Sequence, residues 1–298
     1  MAPAPPPPPA APPPPASTPA RTGSRPTQAA LAQRFLAAHV PGTPLLMPNA
    51  WDVGSAVLFA SLGFDALATT SGGFAASRGR LDGAMDKDEV LAHSRELADA
   101  VAIPVSADLE NCFADEPEGV AATITAAIGT GLAGGSIEDF TRDRSNPIYG
   151  LEQAAERVRA AAEAAHSGPV PFVLTARAEN YLHGRTDLAD TIARLQAYQE
   201  AGADVLFAPR VVEPAELTQL LASVDLPVSV LVTPSAPPVG ELAALGVSRI
   251  SVGGAVAAAA YGFAVRAVTQ LRDEGTPNYW ELAGEARTAM VDGFAKPG

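Results

Sequence analysis

From residue 45 almost to its end, the chain alternates short β-rich segments with longer amphipathic ones. Such alternation is typical of parallel strands joined by crossover helices. Eight strands are predicted, at Leu45–Trp51, Asp65–Ser71, Ile103–Glu110, Gly135–Asp139, Phe172–Glu179, Asp204–Pro209, Pro227–Thr233 and Arg249–Gly253. Eight strand-helix units over about 230 residues predict an α/β fold of the (β/α)8 TIM barrel type rather than an open doubly wound sheet.

The segments between these strands carry apolar residues at spacings of three and four, which predicts helices. These segments are Ser55–Leu62, Lys87–Val101, Glu118–Thr130, Leu151–His166, Leu188–Ala201, Pro214–Val224, Val239–Leu245 and Ala255–Glu274. A further C-terminal helix is predicted over Asn278–Phe294. The turn Asn49–Ser55 after the first strand has no G-x-G-x-x-G motif, which argues against a dinucleotide-binding sheet.

The beginning of the chain has a different composition from the rest. Residues 1–26 contain 12 of the 28 prolines and predict a disordered Pro/Ala-rich tail, whereas residues 27–298 form the predicted catalytic barrel domain with its C-terminal helices. The tail is interpreted as a solvated extension, with an SH3-type groove ligand as the alternative. It lacks the apolar centre of a secretory signal, and no later segment predicts a membrane span.

Charge and cysteine content limit the expected partners and compartment. Lys and Arg number 20 against 33 Asp and Glu, a formal net charge of −13, which argues against nucleic acid or an anionic membrane surface. A small-molecule substrate is the expected partner. Cys112 is the only cysteine of the chain, so no internal disulfide can form, and a reducing, cytoplasmic location is expected.

Acidic side chains follow several predicted strands at the barrel end where active sites form. Asp108 and Glu110 lie two residues apart, as do Arg177 and Glu179, so each pair shares one face of its strand. With Glu138 they place several carboxylates close together, which indicates a hard cation with oxygen ligands, Mg²⁺ or alternatively Mn²⁺. Arg177 offers a planar fork for a small anionic substrate such as a 2-oxo acid.

Structural interpretations of these residues remain open. Asp108 and Glu110 are also compatible with a salt-bridged strand end, and Asp82 with an ordinary turn. Cys112 is interpreted as a packed thiol rather than a nucleophile, because no histidine lies near it in sequence. His183, which follows the fifth predicted strand, is a candidate base near the barrel mouth.

Five motifs carry a resemblance to the isocitrate lyase and phosphoenolpyruvate mutase superfamily over roughly residues 30–290. They are Pro48-Asn49-Ala50-Trp51-Asp52, Thr70-Ser71-Gly72-Gly73, Ser106-Ala107-Asp108-Leu109-Glu110, Ser136-Ile137-Glu138-Asp139 and Thr175-Ala176-Arg177-Ala178-Glu179. The resemblance implies a Mg²⁺-dependent barrel that acts on C–C or C–P bonds next to a 2-oxo acid or its enolate. It also implies that the last helices are swapped between subunits of a homodimer or homotetramer.

The same resemblance implies roles for individual residues. Asp108 is the expected direct Mg²⁺ ligand, and Asp82, Glu110 and Glu138 bind the ion through water. The expected substrate-binding residues are Trp51, Ser71, Gly72, Gly73 and Arg177, and the expected catalytic residues are Arg177, Asn146 and Glu179.

Departures from the superfamily pattern leave the reaction open. The lyases carry a Lys-Arg-Cys-Gly-His loop with a catalytic cysteine, but the corresponding stretch here is Phe140–Pro147 and has no cysteine. Asn146 has the spacing of a mutase loop asparagine, yet Pro147 replaces the serine that follows it there. We therefore expect a C–C lyase or decarboxylase acting through a metal-bound enolate. The alternatives are a C–P enzyme, either phosphonopyruvate hydrolase or phosphonomutase, and a non-catalytic ligand-binding barrel.

Overall fold

A computed structural model of the chain describes residues 25–295, so most of the predicted tail over residues 1–26 lies outside the described residues. Its strands are all parallel: β1 Leu45–Met47, β2 Asn49–Ala50, β3 Leu67–Thr69, β4 Val105–Asp108, β5 Gly134–Glu138, β6 Val173–Arg177, β7 Val205–Phe207, β8 Val228–Leu231 and β9 Arg249–Ser251. The helices are α1 Gln28–Ala37, α2 Val53–Ser61, α3 Ser71–Ser77, α4 Lys87–Ala100, α5 Pro117–Ile128, α6 Leu151–His166, α7 Leu188–Glu200, α8 Pro214–Leu221, α9 Val239–Leu245, α10 Ala255–Glu274 and α11 Trp280–Phe294.

The sheet closes into a barrel through the segment on either side of Pro48. β1 pairs with β9, Leu45 opposite Arg249, whereas β2 pairs with β3, Ala50 opposite Thr69. Proline has no backbone N–H to donate and therefore interrupts a strand ladder. The prediction of one continuous first strand was thus wrong in detail, because two short strands replace it and make nine. The predicted TIM-barrel architecture is confirmed.

Two helices, α1 and α3, were not predicted from the sequence, and both lie at ends of the barrel. α1 begins after Thr27, whose side chain caps it, and buries Leu31 and Phe35 under the strands. α3 begins at Ser71, with Thr70 as its N-cap, where the second strand was expected to continue. Ser71, Gly72 and Gly73 therefore lie in the first turn of a helix, whose backbone N–H groups have no partner within the helix.

The extra C-terminal helix is confirmed, and α11 packs on α2 of the same chain. The two helices approach closely, since a Cβ on Gly293 would lie 2.7 Å from Ser61 Oγ. The exchange of this helix between subunits, and the homodimer or homotetramer, stay predictions. Within residues 25–295, no helix is both long and apolar enough to span a membrane.

Candidate active site

Three neighbouring strands end in charged residues that meet above the barrel. Asp108 ends β4, Glu138 ends β5 and Arg177 ends β6, and Glu138 is directly opposite Arg177 in the strand register. Arg177 Nη1 lies 3.0 Å from Asp108 Oδ1 and 3.2 Å from Glu138 Oε2. Its Nη2 lies 2.7 Å from Glu179 Oε1. The structure therefore brings together four of the five charged residues that the predicted strand ends indicated.

Asp108 is held by the neighbouring strand end and by the start of α3. Its backbone N–H donates to Thr69 Oγ1 at 2.9 Å, and its Oδ2 accepts from the Ser71 backbone N–H at 3.1 Å. Asp82 approaches from the loop after α3, since a Cβ on Gly72 would lie 3.3 Å from Asp82 Oδ2. Glycine at position 72 thus leaves the space in which the Asp82 carboxylate lies.

Glu110 reaches the cluster through a turn rather than through strand alternation. Its backbone has φ of 50°, beyond the end of β4, and its N–H lies 3.4 Å from Asp108 Oδ1. Its Oε2 lies 3.8 Å from Arg142 Nη2, whereas its buried Oε1 has no hydrogen-bond partner among the described residues. Burial, followed by the nearby Asp108 charge, raises the pKa of Glu110 to about 7.

Two adjoining cavities open at this cluster. The first has a volume of about 220 Å³ and is lined by Ser71, Gly72, Asp82, Asp108 and Arg177 together with small polar strand residues. The second, about 610 Å³, shares Ser71, Asp82 and Arg177 with the first. It adds Glu110, Glu138, Glu179, Phe140, Arg142, Arg144 and His183. The carboxylate cluster therefore lies between the small, polar first cavity and the larger, charged second cavity.

The donor set fits a hard divalent cation. Asp82, Asp108, Glu110, Glu138 and Glu179 line the two cavities with only a few arginines, of which Arg142 and Arg177 pair with them. Burial raises the pKa of Glu138 well above its ordinary value and also raises that of Glu179; Arg177 opposes the shift, and neighbouring carboxylates add to it. The unpartnered Oε1 of Glu110 adds a free oxygen donor. No three His, Cys, Asp or Glu side chains in residues 25–295 form a ready-made chelating group.

Protein-bound Mg²⁺ commonly retains several water ligands. The predicted ligands Asp82, Asp108, Glu110 and Glu138 all line one or both cavities. Their binding of a metal stays a prediction.

Three predicted residues lie apart from the cluster in the described part of the chain. Asn146 is exposed, and its backbone N–H donates to the Asp143 carbonyl. Trp51 packs edge-on against Phe59, with 5.9 Å between ring centroids, and lines neither cavity. Gly73 is buried against Trp51, where a Cβ would lie 2.9 Å from the Trp51 Cβ. Substrate contacts by these three residues stay predictions, and any direct role for Asn146 would need the loop to move.

The structure adds residues that sequence reasoning did not select. Arg142 and Arg144 line the second cavity, and only the polar character of their loop marked them in the sequence. Arg249 lines the first cavity from β9 and donates to Ser229 Oγ at 2.9 Å. Burial lowers the pKa of Arg249 to about 9, with the nearby Arg177 charge contributing in the same direction. No sequence signal distinguished Arg249 from a strand residue.

Cys112 is a structural residue. Its side chain is fully buried in the main hydrophobic cluster, and burial raises the pKa of its thiol to about 12. A thiol with such a pKa stays protonated and does not face either cavity. Its interpretation as a packed thiol agrees with this burial.

A buried scaffold holds the loops after β4 and β5. Asp139 accepts hydrogen bonds from Arg194 at 3.1 Å, from Tyr198 at 2.6 Å and from the Glu179 backbone N–H at 2.7 Å. Arg157 is also buried and donates to four backbone carbonyls, at positions 111, 114, 115 and 138. Because these groups are paired, the site residues that they support have little freedom to move.

A parallel barrel with an acidic cluster and one arginine at the carboxyl ends of its strands is typical of metal-assisted enzymes. The family model described as phosphoenolpyruvate phosphomutase matches residues 35–272. The chain belongs to this family, and thus to the isocitrate lyase and phosphoenolpyruvate mutase superfamily of enzymes, as the sequence motifs predicted.

Among similar solved structures is one from Burkholderia cenocepacia J2315, described only as lyase or mutase. It is 49% identical, has a TM-score of 0.86 and covers 91% of this chain and 97% of its own. The 2-methylisocitrate lyase of Escherichia coli K12 is 32% identical over 207 residues, 67% of this chain and 69% of that protein. The oxaloacetate decarboxylase of Rhodopseudomonas palustris BisB18 is 30% identical over 212 residues, 68% and 70% of the two chains.

Proposed function

We propose that the protein is a Mg²⁺-dependent carbon-carbon lyase or decarboxylase for a small 2-oxo acid or a related carboxylate, acting through an enolate. One observation carries this proposal. Arg177 contacts Asp108, Glu138 and Glu179 at the border of two polar cavities. The arrangement combines a cation site with an anion-binding arginine, which is what a carboxylic acid that chelates a metal requires.

The dimensions of the site support a small substrate. The first cavity, at about 220 Å³, is below the roughly 300 to 1,000 Å³ of pockets that hold drug-sized ligands. Its walls carry hydroxyl groups and backbone amides from Thr70 to Gly72 rather than apolar side chains alone. A compact acid with several oxygens matches this lining better than an extended or aromatic ligand.

The residues of the chain perform distinct parts of such a reaction. Arg177 orients the substrate carboxylate and stabilises the enolate charge electrostatically. In the first turn of α3, the Ser71 N–H donates to Asp108 and the Gly73 N–H to the Thr70 side chain, so the Gly72 N–H is the group that donates to the same anion. Asp82, Asp108, Glu110 and Glu138 hold the cation. When bound, the cation supplies Lewis-acid polarisation of the substrate oxygens.

Cleavage of a C–C bond is favoured over C–P chemistry by two observations. The asparagine that mildly favoured a mutase, Asn146, is exposed and apart from the cluster. The two named relatives above act, by their names, on 2-methylisocitrate and oxaloacetate.

The absence of the loop cysteine and the buried state of Cys112 argue against a cysteine acid of the lyase type.

The test is pyruvate formation, followed by coupled NADH oxidation, from oxaloacetate, methylisocitrate, substituted malates and phosphonopyruvate. Each reaction is run with Mg²⁺, with Mn²⁺ and with EDTA. Asp108→Asn is expected to lower metal-dependent turnover at least 100-fold, whereas Asp225→Asn, an exposed surface change away from the cavities, leaves it unchanged. Phosphate release from phosphonopyruvate alone would refute the C–C assignment, and binding without turnover of any substrate would indicate a non-catalytic barrel.

A further inference from the structure

Arg249 is a buried cation that has no carboxylate partner in the described part of the chain. It is the first residue of β9 and is only 3% exposed. Its Nε donates to Ser229 Oγ at 2.9 Å, and its Nη1 donates to Thr175 Oγ1 at 3.0 Å. Both acceptors are neutral hydroxyl groups, whereas a buried charge in a protein is ordinarily paired with an opposite charge.

The third neighbour of this guanidinium is neutral as well. His39 Nε2 lies 3.4 Å from Arg249 Nη1, and His39 Nδ1 lies 2.8 Å from the Phe35 carbonyl oxygen. Burial, followed by the Arg249 charge, lowers the pKa of His39 to about 3, so the ring is uncharged at neutral pH. Arg249 keeps its charge there, because its own pKa is about 9. Within residues 25–295 its Nη2 has no hydrogen-bond partner.

Arg249 lies deeper in the barrel than Arg177, although both line the first cavity. Arg177 ends β6, whereas Thr175, which accepts from Arg249, comes two residues earlier on the same strand. Two strand residues span about 7 Å and return to the same face. Arg249 therefore lies at the inner end of the first cavity, below the level at which Arg177 meets the carboxylates.

Serine hydroxyl groups accompany Arg249 in this inner part. Ser106 and Ser136 each come two residues before a charged residue at a strand end, Asp108 and Glu138 respectively, and Ser251 ends β9. All three serines line the first cavity and are at least nine-tenths buried. Their hydroxyl groups have no hydrogen-bond partner among the described residues. A layer of unpaired hydroxyl groups thus lies directly beneath the charged cluster.

We propose that Arg249, Ser106, Ser136 and Ser251 form a second anion site, the inner anion site, which binds one carboxylate-sized oxyanion. Arg249 supplies the charge and a free Nη2, and the serines supply hydroxyl donors. The oxyanion is either a free anion or the far end of a molecule whose other end reaches Arg177. The inference goes beyond the proposed function and holds whichever bond the enzyme cleaves.

Other occupants match the inner anion site less well. Water solvates a guanidinium but does not neutralise its charge, and a metal cation would be repelled by Arg249. An apolar group would leave the guanidinium and three hydroxyl groups unpaired. The first cavity has a volume of about 220 Å³, against about 30 Å³ for one water in the liquid, so a small oxyanion fits.

The experiment measures binding of ¹³C-formate by line broadening in EDTA at pH 7 and constant ionic strength, with nitrate as a competitor. It compares wild type, Arg249→Met, Arg249→Lys and a matched control, Arg95→Met. Arg95 also donates to a neutral acceptor, the Gly129 carbonyl at 2.8 Å, but is exposed and lines neither cavity. We expect Kd for formate to rise at least about tenfold in Arg249→Met, to stay within about threefold in Arg249→Lys and to be unchanged in the control.

Oxalate and succinate, added with Mg²⁺, identify the source of the oxyanion. Arg249-dependent binding of formate that persists at saturating oxalate and saturating succinate supports a free anion. Displacement of formate by succinate but not by oxalate, with succinate alone weakened in Arg249→Met, supports the far end of a longer molecule. Both results support the inner anion site.

Ser136→Ala keeps the test decisive if Arg249→Met does not fold. It removes one small hydroxyl group and is expected to raise Kd for formate about fivefold, with circular dichroism unchanged. Absence of saturable formate binding by wild type, or an unchanged Kd in Ser136→Ala, would refute the inference. A wild type that binds formate through Arg249 but turns over no acid would instead refute the proposed function and leave the inner anion site standing.

Discussion

Glu110 should make the metal-free protein less stable as the pH rises, and the substitution Glu110→Gln should remove this pH dependence. The pKa of this carboxyl is raised from 4.5 to about 7 in the folded protein, and its side chain is only 7% exposed. A shift of about 2.5 units at about 1.36 kcal/mol each amounts to roughly 3 kcal/mol. Because the folded state holds the proton more tightly, this contribution is present in full below pH 4.5 and is lost as the pH rises through about 7.

The assay is urea unfolding in EDTA at several pH values between 5 and 8. Buried His39 and His93 have pKa values lowered to about 3 and about 4, chiefly by burial, so they destabilise the folded state as the pH falls through 6.5. Their effect is common to both proteins and cancels in the difference between wild type and variant. We expect Glu110→Gln to gain up to about 3 kcal/mol relative to wild type from pH 5 to pH 8.

Two controls make this result specific. Glu163→Gln alters an exposed carboxylate on α6 and is expected to give a curve parallel to wild type. Addition of Mg²⁺ at pH 8 is expected to stabilise wild type more than Glu110→Gln, since ligand binding to the folded state adds to its stability. If wild type and Glu110→Gln keep a constant difference across the pH range, the reasoning about this buried carboxylate is wrong.

Further predictions concern the scaffold. Arg157→Met should destabilise the protein by about 3 kcal/mol in urea unfolding, because four backbone carbonyls lose a buried donor; an unchanged midpoint would contradict this. Gly134→Ala should destabilise the barrel, since its Cβ would lie 2.6 Å from the Val173 carbonyl oxygen, as thermal unfolding can check. Gly240→Ala, in α9 with no atom within 4 Å of the new Cβ, should instead be neutral or add up to about 1 kcal/mol.

The rule that barrel active sites form at the carboxyl ends of the strands was sufficient to predict part of the site. Asp108, Glu138 and Arg177 each occupy the last position of an observed strand, where the polar residues follow an apolar run. Glu110 was selected for the wrong reason, because it lies beyond its strand at φ of 50°. Its side chain reaches the site through a left-handed backbone position, which alternation does not describe.

The two errors at the ends of strands have local causes. Pro48 divides the first strand. Its missing backbone N–H indicates such a break, but the apolar residues around it favoured the prediction of one continuous strand. Ser71 was predicted to end a strand, and two features of the sequence favour that prediction over a helix: β-branched Thr69 and Thr70 precede it, and two glycines follow it. The Thr70 cap and packing on the barrel outweigh that low propensity.

The partners of the second cavity could not be derived from sequence. Arg142 reaches Glu110, and His183 reaches Phe140, through loops whose conformations depend on tertiary contacts. Arg249 enters from the last strand and meets residues more than 70 positions away. Such contacts depend on barrel closure, which a pattern read along a single segment does not report.

The division at Pro48 also has a consequence for synthesis of the chain. β1 and β2 emerge from the ribosome early, yet β1 finds its neighbour only when β9 appears, with Leu45 paired to Arg249. Until then β1 and the growing sheet each expose an unpaired strand edge, which can template wrong association. The yield of folded protein should therefore depend on translation pauses, chaperone access and the elongation rate while the last third of the chain is being synthesised.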